Sequence, residues 1–173
     1  TRILNDITSS IQPMNDELNA KIEEWSKPPF DEETRAQLNL LKQNPEQLDD
    51  AFYKDLEFGT GGMRGIMGIG TNRINAYTLG KSTQGLCDYL KSAFSKMPIK
   101  VVIAYDCRNN SKSLAVKVAE IFSANNIKVF IFSDLRTTPE LSFAVKYLEA
   151  HSGIVLTASH NPPEYNGYKV YWK

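Results

Sequence analysis

Cysteine and histidine are scarce: the 173 residues hold only two of each. Cys87 falls in a predicted helix and Cys107 in a loop, and no Cys/His metal spacing accompanies them. Both read as reduced thiols, which excludes a disulfide framework and a zinc site. The Asn109-Asn110-Ser111 glycosylation match is then inert. No run of eighteen apolar residues occurs, and Thr1-Arg2-Ile3-Leu4-Asn5-Asp6-Ile7 lacks the basic start and apolar centre of a secretory signal. A membrane-spanning helix is excluded, and a soluble cytoplasmic protein is the expectation. Excess charge of either sign is also missing, since 20 basic and 20 acidic residues cancel. No overall field draws nucleic acid or an anionic membrane, so any anion site must be local.

What is present suits one compact core with an extension: 42% of the residues are apolar and 23% charged, a mixture that fits neither disorder nor a fibre. Residues 1–55 read as a helical amino-terminal extension. Ile7, Ile11, Met14, Leu18, Ile22 and Trp25 recur at three or four, and Pro28-Pro29 ends the pattern. Asp31 begins a second helix carrying Leu38 and Leu41, and a third after Pro45 carries Leu48, Phe52 and Leu56.

From residue 56 to 173 the pattern is that of an α/β domain. Asn75 is the expected cap of a long helix with the stripe Leu79, Thr83, Leu86, Leu90 and Phe94, ended by Pro98. Ile99–Tyr105 contains Val101-Val102-Ile103, an unbroken apolar run typical of a strand covered on both faces. A helix with Leu114, Val118, Ile121 and Phe122 on one side follows. Then come a strand over 127–132, a helix with Thr138 as cap and Pro139 in its first turn, and a strand over 153–157. This βαβαβ order predicts a three-layer α/β/α domain with a mixed, mostly parallel sheet, because right-handed crossovers make successive strands parallel. The strands' carboxyl ends then share one edge, where ligands bind in open α/β sheets. Three loops meet there: 106–109, 134–138 and 157–161.

The last loop is the richest in chemistry. Ser159 lies between the apolar Gly153-Ile154-Val155-Leu156 and Pro162-Pro163, so the chain leaves a buried strand and enters a turn that cannot become helix. Asn166-Gly167 is a tight-turn signal before Tyr168-Lys169-Val170-Tyr171-Trp172, which predicts a hairpin returning Lys169 towards Ser159. Ser159 has no Gly-x-Ser-x-Gly elbow and no third residue to orient His160, which argues against acyl transfer. A serine that carries phosphate needs instead an exposed, rigid perch and groups that hold a dianion. Upstream, six glycines between Gly59 and Gly70 let backbone approach a ligand closely and present Arg64.

Two blocks carry a resemblance. Thr157 to Lys169 resembles the phosphoserine loop of the α-D-phosphohexomutases, the phosphoglucomutase/phosphomannomutase superfamily. Phe58-Gly59-Thr60-Gly61-Gly62-Met63-Arg64-Gly65 resembles that family's amino-terminal Phe-Gly-Thr-x-Gly-x-Arg-Gly segment, and residues 65–73 are most similar to the phosphoglucomutase/phosphopentomutase branch. The resemblance implies that 56–173 is the first of four domains and that the other three are partners within a longer enzyme. It implies a phosphosugar substrate and phosphoryl transfer between hexose 1-phosphate and 6-phosphate through phospho-Ser159 and a glucose 1,6-bisphosphate intermediate. Mg²⁺ would be held through the Ser159 phosphoryl group. By the same matching, Ser159, His160 and Lys169 are the catalytic candidates, and Arg64, Thr60, Asn161 and Arg108 contact substrate or support the serine loop. The isolated piece is expected to be inactive.

Read without the resemblance, the same residues allow plainer roles. Ser159 could be a turn serine, His160 a partner of a loop carbonyl, Lys169 the solvated side of an edge strand, Arg64 a solvated arginine, and Arg108 an ion pair to Asp106. A phosphomannomutase or phosphopentomutase specificity is the alternative within the family. Outside it, the alternative is a non-catalytic phosphate-binding or interaction module.

Overall fold

A computed structural model describes residues 16–172. The predicted stripe residues Ile7, Ile11 and Met14 lie outside that range. The chain divides into two compact units, one of residues up to Asp55 with Ile69–Asn72, the other of Leu56–Gly68 with Arg73 onward.

The first unit is helical. Residues 16–25 form α1, followed by α2 (Glu32–Leu41) and α3 (Pro45–Phe52). Asp31 caps α2 by accepting from the Thr34 amide, and Asn44 caps α3 with Pro45 in its first turn, so each helix start satisfies an amide that the helix cannot. Ile22, Trp25, Leu38, Ala51 and Phe52 are buried, with Trp25 stacked on Phe30 at 4.4 Å and edge-on to Phe52 at 5.4 Å. Helix α3 stops at Phe52, so Leu56 is not on it. The segment 69–72 joins this unit because Asn72 donates to Ala51 O at 2.9 Å and Thr71 Oγ1 to Lys54 O at 2.7 Å.

The second unit is the α/β/α domain. Its elements are β1 (Gly62–Ile66), α4 (Ala76–Ala93), β2 (Lys100–Tyr105), α5 (Ser111–Ala124), β3 (Lys128–Ile131), α6 (Thr138–Tyr147), β4 (Ser152–Leu156) and β5 (Tyr165–Trp172). The sheet order is β1-β5-β4-β2-β3, with β2 parallel to β3 and β4, and β5 antiparallel to β4 and β1. Four strands therefore run one way and β5 the other. Strand β2 is buried from Val101 to Tyr105, as its unbroken apolar run requires.

Alternation along the strands sends Val101, Ile103, Ile154, Leu156 and Tyr168 to a core under α4 and α5, and Val102, Ala104 and Val155 to one under α6. Asn75 caps α4 by accepting from the Thr78 amide while Thr78 Oγ1 accepts from the Asn75 amide. On α6 the cap is Thr137, one residue before the predicted Thr138, because the Glu140 carboxylate accepts both its N–H and its hydroxyl at 2.8 Å.

The two thiols differ as their places dictate. Cys87 is buried on α4 and Cys107 is exposed. Burial pushes the Cys87 thiol up from 9.0 to about 11, leaving it about a hundredfold less thiolate than an ordinary cysteine at one pH. Thiol titration of the native chain is therefore expected to find Cys107 fast and Cys87 silent until denaturant is added.

Candidate functional site

The serine loop begins where β4 ends. Thr157 donates its amide to Gly167 O at 3.1 Å and turns its hydroxyl to accept the Ser159 N–H at 3.0 Å. Asn161 N–H then closes a turn on Ala158 O at 3.1 Å. Within it Ser159 takes φ 59°, a left-handed conformation that costs a non-glycine residue about 1–3 kcal/mol and persists only where the surroundings enforce it. Ala158 is buried while Ser159 and His160 are exposed, so the hydroxyl stands on a short turn rooted in the core. His160 Nδ1 lies 3.4 Å from Ser159 Oγ.

Arg108, from the loop after β2, supplies the enforcement. Its Nη1 donates to Pro162 O at 2.8 Å and Tyr165 O at 3.0 Å, and its Nη2 to Ser159 O at 2.9 Å and Asn161 O at 2.6 Å. The planar guanidinium holds three carbonyls of the turn and that of Tyr165, the first residue of β5, at once, which a point charge could not do. Asp106 backs it, with Oδ2 3.6 Å from Arg108 Nε and Oδ1 accepting the Arg108 amide at 3.0 Å. Arg108 thus faces the loop backbone rather than solvent, its side chain only 12% exposed.

The Asn166-Gly167 pair is not a turn. It lies inside β5, and the connection between β4 and β5 is residues 157–164. Two facts override the local signal: Asn166 is fully buried and hydrogen-bonded, and Gly167 sits where a Cβ would meet Thr157 O at 2.6 Å and Met63 O at 2.8 Å. Both obstacles are backbone on flanking segments, so Gly167→Ala is expected to destabilise the domain by about 1–3 kcal/mol, read by denaturant unfolding.

Lys169 is consequently opposite Val155 on β4 and Gly62 on β1, not opposite Ser159. Arg64 is opposite Gly167. Because Met63 and Tyr168 point into the core under α4, alternation puts Arg64 and Lys169 together on the other face, on adjacent strands and two residues apart in register. Arg64 is exposed and Lys169 half-buried. Arg64 Nη1 reaches Asn161 Oδ1 at 3.5 Å, which ties this cationic strip to the serine turn. Thr60 is exposed, two residues before β1.

The three predicted loops leave one edge of the sheet, and the first touches both others. The first and third are joined through Arg108, whereas Arg136 of the second is paired with its own helix at Glu140, 3.4 Å away. β3 lies at the sheet edge, with β2 between it and β4. The first and second loops instead wall an open cleft of about 570 Å³ lined by Asp106, Cys107, Lys112, Asp134 and Leu135 among others, and Ser159 is not among its lining residues.

The sequence does not show the supporting roles of Thr157, Ser111 and Asn166. A hydroxyl two residues before Ser159 is a recognisable turn signal, but nothing local marks a buried asparagine in a strand. Among the described residues no group of three or more His, Cys, Asp or Glu side chains could hold an ion, and Asp106 is committed to Arg108 and Ser111.

The family profile described as phosphoglucomutase/phosphomannomutase, alpha/beta/alpha domain I, matches residues 55–173. A phosphoglucomutase of Staphylococcus epidermidis is 45% identical over 129 residues, covering 75% of this chain and 23% of that protein. A human phosphopentomutase is 41% identical over 140 residues, covering 77% and 23%. The crystal structure of a putative phosphomannomutase from Thermus thermophilus superposes with a TM-score of 0.63 at 31% identity, over 69% of this chain and 26% of that one. The chain thus spans about a quarter of the length of the relatives it matches.

Proposed function

The chain belongs to the phosphoglucomutase/phosphomannomutase family, and we propose that it supplies the phosphate-carrying serine of a phosphosugar mutase. One observation carries this reading: Ser159 presents its hydroxyl from a left-handed turn whose carbonyls are gripped by Arg108. Phosphoryl transfer asks a protein mainly to position the reacting groups and stabilise charge, and a clamped, exposed oxygen meets the first demand. Arg64 and Lys169 suit the second as cations on one sheet face, of which Arg64 is joined to the turn through Asn161.

In this reading phospho-Ser159 donates to a hexose monophosphate. The P–Oγ bond breaks as a P–O bond to the sugar hydroxyl forms. The hydroxyl proton is lost as Oγ gains one, with His160 Nδ1 the ring nitrogen beside Oγ. The bisphosphate then returns its other phosphoryl group to Ser159, converting 1-phosphate to 6-phosphate. Mg²⁺ would rest on the seryl phosphoryl group with further ligands from outside this chain, and turnover would need the rest of the longer enzyme, in the cytoplasm. Among the described residues no helix is long and apolar enough to cross a membrane. The similarity to both a phosphoglucomutase and a phosphopentomutase supports a hexose phosphate with a pentose phosphate as the alternative.

The test is incubation of the full-length protein with glucose 1,6-bisphosphate and mass spectrometry of the Ser159 peptide. Phosphate on that peptide is the expected result. Its absence, with other serines phosphorylated or none, removes the proposal.

A further inference from the structure

The serine loop is held by Arg108, but Arg108 is itself held, and the chain of bonds leads to a side chain with no surface of its own. Asn166, on β5 opposite Gly65, is fully buried. Its Nδ2 donates to Asn109 O at 3.0 Å and to Ser111 Oγ at 2.9 Å, and its Oδ1 accepts the Gly167 amide at 2.8 Å. Ser111, also fully buried, passes its own proton on to Asp106 Oδ1 at 2.8 Å. Asp106 Oδ1 accepts the Arg108 amide as well, and Oδ2 faces Arg108 Nε.

We infer that Asn166 is a positioning residue for Ser159, acting through Ser111, Asp106 and Arg108. The inference rests on the reading of Ser159 as the phosphate carrier. The direction of every bond is determined at its start. An amide nitrogen can only donate, so Ser111 Oγ accepts from Asn166 and has its single proton free for Asp106. That leaves the Asp106 carboxylate as a pure acceptor, aligned by Ser111 on one oxygen and paired with Arg108 through the other. Buried networks of this kind are rigid when every member is satisfied, and one missing donor costs more than its own bond. Asn166 also anchors the loop mechanically, because Tyr165, whose carbonyl Arg108 holds, is its chain neighbour. The relay therefore joins β5, which follows the serine turn, to the loop that grips it.

Asn166→Asp keeps the shape but replaces both donors by acceptors. Ser111 then donates to residue 166, and Asp106 loses its buried partner. Ser111→Ala cuts the relay at its middle with the loss of one oxygen atom, and serves if the buried carboxylate prevents folding. In the full-length enzyme both are expected to lower the rate of Ser159 phosphorylation by about 10–100-fold while KM for the sugar phosphate changes less than about threefold, as for displacement of a reacting group. Hydrogen exchange of the Ser159 and Asn161 amides should accelerate, and so should alkylation of Cys107, read on its own peptide. Exchange that rises equally through β2 and α5 would mean general loosening and would overturn the inference. So would unchanged exchange at Ser159 and Asn161 in Ser111→Ala. Failure of the wild-type protein to accept phosphate at Ser159 overturns the functional reading instead, while exchange still decides whether the relay holds the turn.

Discussion

Ser159→Ala in the full-length enzyme is expected to abolish mutase turnover, with a loss on the order of 10⁴-fold or more, as when a covalent nucleophile is removed from other enzymes. The effect should be chemical rather than structural. Ser159 is exposed and its hydroxyl has one near neighbour, His160 Nδ1 at 3.4 Å, so removing it leaves the core and the turn's carbonyl bonds in place. Alanine tolerates a left-handed φ of 59° no worse than serine by more than a few tenths of a kcal/mol, since both carry a Cβ. Unfolding midpoints should therefore match wild type while phosphate incorporation disappears. Ser159→Cys is a sharper control: it restores a nucleophile at the same point, yet a thiol is a poor acceptor and donor for this exchange. A loss of turnover explained by lost stability would remove Ser159 from its role.

Arg108→Ala has the second largest expected effect, a fall in kcat of about 10²–10³-fold with KM little changed. Each bond from a charged donor contributes about 1.5–3 kcal/mol net when buried. Arg108 makes three to the turn and a fourth to Tyr165 at the start of β5, two of them part-buried and two exposed, so even with the exposed pair discounted they offset the roughly 1–3 kcal/mol cost of one residue in the left-handed region. Without them that balance reverses, and the turn relaxes away from the geometry that presents Oγ. Arg108→Lys should rescue little, because one ammonium cannot span carbonyls that the guanidinium reaches with two nitrogens. A contact made to substrate would instead raise KM, and steady-state kinetics of both variants separate the two roles.

The helices and central strands of the domain were legible because their signals are periodic and local. The apolar run at Val101–Ile103 and the Asn75 cap needed no tertiary information. Strand β1 was not read as one: Gly62–Ile66 has two glycines in five residues, poor strand formers chosen because neighbouring backbone passes close, as at Gly62, where a Cβ would stand 2.1 Å from Tyr168 O. Asn166-Gly167 misleads for the complementary reason, since its turn preference is overruled by two partners from distant segments, Asn109 and Ser111, and by the crowding at Gly167. At the site, Ser159, His160 and Asn161 are neighbours in sequence and were visible as a group. What holds them was less so. Arg108 stands 51 residues from Ser159, a pairing that periodicity cannot reveal, and Lys169 moved because the true loop is 157–164.

The central claim is that phosphate on Ser159 passes to a sugar and comes back. Full-length enzyme carrying radiolabelled phosphate on Ser159, mixed with excess hexose 1-phosphate in a single-turnover quench, tests it most directly. The label should leave the Ser159 peptide and appear at the same rate in a sugar phosphate. Label that stays on the protein, or leaves it only as inorganic phosphate, contradicts the account.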